Sequence, residues 1–399
     1  MNQPSTRNGI VVNYVFIIAY LVGLSAFGSF VNDMYLPSLP SMTKFFHCSV
    51  PTVQLGLTMG MVGLGAGQML LGPISDKYGR KPVLIWSTLL FIIAAVASVF
   101  SPTIHAFLGF RLVQGLGASG CYFLARTIPA DLYAGRALAQ TMAIVGAING
   151  IAPASAPVIG GFLSQHWGWK SVFVVLAVLG VVLLAFSPKL KETLSASERQ
   201  SGSVWDAFKR YGKLVRNYRF MVHVGLKGAA LGILFAYISS APFIMQTHFG
   251  FRQDAFGCIM GGNALMIAVG SMAALKFKLL KKAAFIGGVL VLIAVACESA
   301  VLLFCDSFIL YELLLLPMLF CLGMVFTAGN TLAMNEGRDS AGDASALLGL
   351  GGYIFGAVVS PLVGMGSIMH TTAWVLLALA VIVTLFAVLS KRIPADLNQ

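Results

Sequence analysis

The sequence predicts an all-α membrane protein, with twelve transmembrane helices in two pseudo-symmetric six-helix bundles around a central cavity. Three observations predict it. First, 58% of the 399 residues are hydrophobic and only 10% are charged, with a mean hydropathy of +0.87. Soluble domains carry roughly 25% charge, and a water-facing surface is not built from so little. Second, the charges interrupt a series of apolar runs, each near the roughly 20 residues that cross a hydrocarbon core. Third, Lys and Arg collect on alternate connections. A soluble enzyme, a secreted disulfide scaffold, a nucleic-acid module and a disordered chain are disfavoured together. A formal charge of +12 and a pI of about 9.5 would suggest nucleic acid in a soluble protein. In a membrane protein they raise the question of where the positive residues sit.

Charge-free runs place spans at 11–36, 50–72, 82–101, 103–126, 138–163, 170–188, 222–244, 255–275, 284–304, 310–333, 344–365 and 372–390. The first run, Ile10 to Val31, lacks a small-residue cleavage site after a short core, so it reads as a span and not as a signal peptide. The stretch 344–390 carries no charge over 47 residues and must hold two spans, turning near Gly366 to His370. One long connection, Pro188 to Met221, separates six spans from six. The organisation is then an N-terminal bundle at 1–188, a cytoplasmic linker at 189–221 and a C-terminal bundle at 222–399.

With the N-terminus inside, 21 of the 26 basic residues, from Arg7 to Arg392, lie on the cytoplasmic side. Lys44, Lys170 and Arg252 lie outside, and Arg111 and Lys227 fall within spans. This split satisfies the positive-inside rule and would invert if one span were miscounted. It predicts a multi-pass protein of the bacterial inner membrane with both termini cytoplasmic. The halves also repeat: Gly67 matches Gly270 and Pro157 matches Pro361, at separations of 203 and 204 residues. Duplicated halves of this kind build secondary transporters, with the substrate site at the repeat interface.

Most of the six cysteines lie in apolar runs without any CxxC or Cys/His grouping, and read as small hydrophobes in packed helices. There is no phosphate loop, no HExxH and no Ser/His/Asp set, so the chain is not read as an enzyme and neither a metal nor a cofactor is expected.

The connection after the second span reads Gly72-Pro73-Ile74-Ser75-Asp76-Lys77-Tyr78-Gly79-Arg80-Lys81-Pro82. Its glycines permit a tight turn, and Asp76 can sit near a helix N-terminus, where the dipole favours an anion. The run closely resembles the signature loop of the major facilitator superfamily. The resemblance implies that Gly72, Asp76, Gly79 and Arg80 form a latch between the halves in the outward-facing state. The second-half copy keeps only Lys276 to Lys282, so that latch is expected to be asymmetric.

Span four carries Arg111 followed by Gln114-Gly115-Leu116-Gly117-Ala118. An Arg in mid-span costs roughly 3 kcal/mol or more unless paired or hydrated. It can snorkel to the outer rim or form a structural ion pair. The run is also similar to the superfamily's span-four motif, which implies that Arg111 faces the cavity and communicates with a proton site. Span five contains Pro153 and Pro157 followed by Gly160 and Gly161. By itself this is a kinked helix that admits a close neighbour. It resembles the antiporter motif of drug exporters, with Ala156 standing where Gly usually precedes the Pro.

Span one ends Asn32-Asp33-Met34-Tyr35-Leu36-Pro37-Ser38-Leu39-Pro40. Asp33 is the one acid of the first half outside the cytoplasmic connections, and reads either as a wetted acid at the outer mouth or as a proton carrier. The Asp-x-Tyr-x-Pro-x-x-Pro pattern resembles the Bcr/CflA branch of bicyclomycin- and chloramphenicol-type exporters, which implies that Asp33 is protonation-linked. Asp343 lies in a second run similar to that branch, where Thr or Ser is usual.

Among the remaining polar groups, Lys227 can snorkel inward or contact an anionic ligand. Glu298 reads as a peripheral structural acid or as a second proton site. Asn32, Tyr35, Tyr122, Lys227, Tyr237, Asn330 and Tyr353 are the candidate cavity residues, with Asp33 and Arg111 the proton-coupling pair. Twenty-eight Phe and 17 Met suit a pocket for varied lipophilic ligands. The expected function is export of small lipophilic drugs by proton antiport with alternating access. A proton-coupled carrier of a small metabolite such as an amino acid is the alternative, and a non-transporting receptor or scaffold is a third. Expected partners are a small-molecule substrate, protons and the lipid bilayer, with no nucleic acid. The expected working unit is a monomer.

Overall fold

The structure, a computed structural model, describes residues 13–195, 197, 199 and 205–393, and the side chains of these except at 149, 205–208, 339 and 341. The expectations for Arg7 and for the chain ends lie outside that set. The helices are α1 (Tyr14–Asp33), α2 (Leu39–Phe46), α3 (Val50–Tyr78), α4 (Arg80–Val99), α5 (Ile104–Leu132), α6 (Gly135–Trp167) and α7 (Trp169–Phe186), then α8 (Trp205–Arg216), α9 (Tyr218–Pro242), α10 (Gln253–Ala274), α11 (Leu280–Phe304), α12 (Phe308–Glu336), α13 (Ala341–Leu362) and α14 (Ile368–Arg392). Without water in a bilayer core, each backbone amide must find its partner within its own segment, and a helix provides that.

Eleven of the described helices are long and apolar enough to cross a membrane. The twelfth long helix, α5, has 29 residues but carries Arg111, Gln114 and a run of Gly and Ser. Its polar character is tolerated because it packs inside the protein, against α1, α3 and α4. In the first half α4 also packs on α7 and α1 on α6. In the second half α9 packs on α12, α13 and α14, α10 on α12, and α11 on α12 and α14. The two bundles meet along two seams, α3 with α13 and α6 with α10.

Helix starts expose the duplication more finely than the motifs do. The carboxamide oxygen of Asn13 accepts from Val15 N and Phe16 N at 3.0 and 3.3 Å, capping α1. Asn217 accepts from Arg219 N and Phe220 N at 3.1 and 3.3 Å, capping α9. Thr103 caps α5 through Ala106 N and Ser307 caps α12 through Leu310 N. In each pair the two caps stand 204 residues apart. Such a cap supplies one of the acceptors that a helix start lacks.

Several span limits differ from the sequence expectation. The first helix stops at Asp33, because Pro37 and Pro40 start a new turn and a short helix instead of continuing α1. Tyr35 to Leu39 fold inward and are buried. Lys227 lies ten residues into α9, beyond the single turn expected, because α9 already begins at Tyr218. The turn before α14 is Val363–Ser367, and His370 is already helical.

The helix ends bearing Lys77, Arg80, Lys81, Arg338 and Lys391 define the basic end of the molecule. There Arg80 Nη1 donates to Asp76 Oδ1 at 2.5 Å and to Ser75 Oγ at 2.7 Å, and Nε donates to Asp131 Oδ2 at 2.9 Å. Glu192 accepts from Arg80 N and Lys81 N at 2.9 and 3.1 Å. Gly79 sits between them at φ +102°, and a Cβ there would stand 2.5 Å from the Glu192 carboxylate. Only glycine satisfies both demands. All these partners belong to the first bundle or the start of the linker. The signature residues therefore tie α3, α4 and α5 to one another here and do not bridge the halves.

The bridge at this end is α8. Arg210 Nε donates to Asp343 Oδ2 at 2.8 Å, and Tyr211 OH donates to Met69 O at 3.4 Å. Tyr211 is buried with Phe220, Val224, Leu347 and Leu348, and burial pushes its phenol up to about 12. One short helix thus contacts α3 of one bundle and α13 of the other.

The opposite end is closed by backbone. A Cβ on Gly160 would collide with Met34 O, one on Gly161 with Gln253 O, and one on Gly257 with Pro157 O. Gln246 Nε2 donates to Pro37 O at 3.0 Å and Gln54 Nε2 to Ser239 O at 2.8 Å, both across the bundles. Gly161→Ala, whose Cβ would stand 2.4 Å from Gln253 O, is expected to cost about 1–3 kcal/mol by overpacking this closure, read as a lower melting temperature of the purified protein. Gly146→Ala, whose Cβ would meet nothing within 4 Å, is the control and is expected to leave that temperature unchanged or higher.

Candidate functional site

Between the bundles lies a cavity of about 460 Å³. α1 contributes Gly28, Ser29, Asn32 and Asp33, α5 contributes Tyr122 and Arg126, and α6 contributes Pro153 and Pro157. From the second bundle come Lys227, Phe235 and Tyr237 of α9, Met260 and Asn263 of α10, Asn330 of α12 and Tyr353 of α13. Met334 and Ser345 lie close to the helix ends at the basic end, and Arg126 lies six residues before the end of α5. The cavity is thus directed toward that end and is shut off from the other by the α6–α10 seam.

Charge is segregated along it. Asp33, the last residue of α1, lies at the closed floor and forms no ion pair or side-chain hydrogen bond among the described residues. Nearer the mouth, Lys227 Nζ donates to Asn330 Oδ1 at 2.8 Å. Arg126 Nη2 donates to Tyr122 OH, and its guanidinium lies 4.3 Å from the centre of the same ring. Gly28 makes room for that ring against α1. The walls between are apolar and aromatic, as is usual for a small-molecule site with a few placed polar groups.

Of the expected cavity residues, Asn32, Tyr122, Lys227, Tyr237, Asn330 and Tyr353 line the wall, as does Asp33. Two do not. Tyr35 is fully buried beneath the floor, because the chain turns inward after α1. Arg111 neither faces the cavity nor snorkels to a rim: it is 0% exposed, behind the α1 wall. Its Nε donates to Gly56 O at 3.2 Å, Nη1 to Gln114 Oε1 at 2.6 Å and Nη2 to Asn32 Oδ1 at 3.5 Å. The Tyr35 ring centre lies 4.4 Å from its guanidinium carbon, within the range of a cation–π contact. Gly60 clears the space, since a Cβ there would stand 2.7 Å from Nη2. Arg111 and Asp33 are not paired; Asn32, between them in space and adjacent to Asp33 in sequence, is the link.

Arg126, Gln68 and Ser29 also line the cavity and were not expected. The spacing carried the signal for Arg126: it is four residues after Tyr122 on one helix, which puts both on one face. Glu298, expected at the periphery, is buried at 0% exposure in the second bundle.

A membrane-embedded two-bundle fold with a polar-tipped cavity at the repeat interface is that of a secondary transporter. Residues 21–361 match the Major Facilitator Superfamily, and the chain belongs to it. It is 34% identical over 371 residues to the uncharacterized MFS-type transporter YdgK of Bacillus subtilis (strain 168), covering 89% of this chain and 92% of that one. It is 30% identical over 234 residues to a chloramphenicol resistance protein of Pseudomonas aeruginosa, covering 58% of this chain and 55% of that protein. It is 28% identical over 256 residues to the multidrug resistance protein MdtL of Escherichia coli O81 (strain ED1a), covering 64% of this chain and 62% of that protein. The fold matches the partially occluded inward-open xylose transporter XylE from E. coli, with a TM-score of 0.73 at 15% identity over 95% of this chain and 97% of that one. It also matches an inward-facing bacterial homologue of the human lysosomal transporter Spinster, with a TM-score of 0.72 at 17% identity over 95% of this chain and 96% of that one.

The α8 bridge yields a prediction about the cavity mouth. Removing the Arg210–Asp343 pair by Asp343→Ser, the residue type usual in the resembled branch, is expected to increase labelling of a cysteine introduced at Ser345 by a membrane-impermeant maleimide. The same increase is expected from Arg210→Gln, with no further increase in the double variant. Additive effects would mean that the two residues act separately.

Proposed function

We propose that this transporter exports small lipophilic compounds by proton antiport, with Asp33 as the proton-carrying group. One observation carries the reading: a carboxylate without a cation stands at the closed floor of an apolar, aromatic cavity between two bundles. An exchanger needs one group whose proton affinity differs between the two accessible states, because a gradient acts only through that difference. At the floor, Asp33 is enclosed while the cavity is directed to the basic end and is wetted when the glycine seam opens. Substrate and proton then compete for the same cavity. Asn32 joins Asp33 to the buried Arg111, so loss of charge at the floor is felt by the helix contacts that Arg111 holds.

The similarity to proteins named for chloramphenicol and multidrug resistance supports the substrate class, and the aromatic walls suit it. In this reading the basic end faces the cytoplasm of a bacterial inner membrane, both termini are cytoplasmic and the working unit is a monomer. The signature residues Gly72, Asp76, Gly79 and Arg80 bridge the halves only in the opposite, outward-facing state. Pro153, Pro157, Gly160 and Gly161 form the hinge and seam that open to reach it. A second reading, transport of an anionic metabolite, is favoured by Lys227 and Arg126 near the mouth.

The test uses proteoliposomes with radiolabelled chloramphenicol and an imposed pH step. The wild type is expected to accumulate label against its gradient, and Asp33→Asn is expected to lose uphill accumulation while retaining counterflow. Full uphill transport by Asp33→Asn would overturn the proton assignment. Counterflow of organic anions but not of chloramphenicol would favour the second reading. Lys227→Ala is expected to change uptake of neutral phenicol less than threefold, and to weaken an anionic substrate at least tenfold if that reading holds.

A further inference from the structure

The second bundle buries a pair of acids that the reading above does not use. Glu298 of α11 is fully buried, and neither carboxyl oxygen has a hydrogen-bond partner. Glu312 of α12 is its electrostatic neighbour, and one of its oxygens is likewise buried and without a partner. No Lys or Arg pairs with either acid among the described residues. The groups around them are identifiable element by element. α12 adds Tyr311, and α9 brings Tyr237. α10 brings Asn263, whose Nδ2 donates to Tyr237 OH at 2.9 Å and whose amide faces Glu312. α14, packed along α11, keeps Lys391 and Arg392 in its last turn at the basic end and the exposed His370 in its first. The neighbours of the two acids are therefore phenols, an amide and each other.

Two electrostatically coupled carboxyls with no cation, one fully buried and one partly buried, do not both remain ionised, because neither has an opposing charge or enough donors to replace water. A proton shared with or held by one of them satisfies the site. A route to the cavity is present as well. Tyr237 and Asn263 both line it, and Tyr237 OH currently donates to Met260 Sδ at 2.8 Å. A thioether is a weak acceptor, so this hydroxyl is readily turned toward a carboxylate.

The repeat sharpens the comparison. Tyr237 stands 204 residues after Asp33, the same separation as the paired helix caps. The first bundle thus places its acid on the wall and a cation behind it. The second places a phenol on the wall and acids behind it.

We propose that Glu298 and Glu312 form a second proton-binding site, loaded and emptied from the cavity through the Tyr237–Asn263 hydrogen bond. Its role in coupling rests on the antiport reading above, whereas the proton binding itself does not. A cycle that uses both sites moves more than one proton per substrate.

Infrared spectroscopy of the protein in liposomes, titrated in pH, reads protonated carboxyls directly through their C=O stretch. The wild type is expected to show such a band that titrates and shifts in D2O. Asp33→Asn is expected to keep a titrating band, and Glu298→Gln and Glu312→Gln are each expected to lose or displace it. Identical bands in wild type and Glu298→Gln would overturn the proposal. So would a band that neither titrates nor exchanges, which marks a structural acid, or one abolished by NaCl at fixed pH, which marks a sodium site. If Glu298→Gln does not fold, Tyr237→Phe retains both acids: a shifted titration supports the route and an unchanged one overturns it. Loss of uphill transport in Asp33→Asn with the band intact separates this site from the antiport reading. Uphill transport that survives in Asp33→Asn would sink that reading while leaving the site standing.

Discussion

A charge in the interior of a membrane protein is held only by the dipoles that its neighbours bring to it, because no water is there to replace them. Arg111 is held in this way, without a carboxylate. A carbonyl of α3, an amide from α1, an amide from its own helix and the face of Tyr35 surround the guanidinium. Each of those partners lies on a different stretch of chain, so the charge acts as a clamp on α1, α3 and α5. It also explains Gly60, which leaves room for Nη2, and the inward fold of the chain after Asp33, which brings Tyr35 under the guanidinium. The cavity floor is built on this cluster.

The same constraint is met differently in the two bundles. Helix caps recur at a constant separation of 204 residues, so the backbone plan is duplicated. The buried charges are not. The first bundle buries an arginine where α12 of the second has apolar residues, and the second holds one fully buried acid, Glu298, beside the partly buried Glu312. Duplication supplies two similar walls, and divergence of their buried charge makes the two walls chemically different.

The closure opposite the basic end combines close backbone contact with two side-chain hydrogen bonds, from Gln54 and Gln246. Gly161 and Gly257 let carbonyls of the facing helix approach across the α6–α10 seam more closely than any Cβ permits, and Gly160 does the same for Met34 O within the first bundle. Opening it also breaks the Gln54–Ser239 and Gln246–Pro37 hydrogen bonds between the bundles. At the basic end α8 ties the halves through a partly buried ion pair and a buried phenol. The two ends thus differ in the physics of their closure.

Much of this was legible in the sequence. Apolar runs, basic connections and the repeat pointed to the spans and to two halves, because membrane thickness and backbone hydrogen bonding leave few alternatives, and the motif at Gly72 to Pro82 carried the resemblance to the superfamily. Asp33, Tyr122, Lys227, Tyr237, Asn330 and Tyr353 were found on polarity alone, since polar groups in apolar runs rarely face lipid. What the sequence left undecided was direction. Arg111 and Asp33 are both isolated charges in first-half spans, yet one is sealed behind the wall and the other stands on it. Glu298 read as a peripheral acid or a second proton site, and it is fully buried. Which face of a helix meets the cavity depends on how several helices rotate against one another, and close glycine–carbonyl contacts between distant segments set those rotations. Only the tertiary structure holds that information.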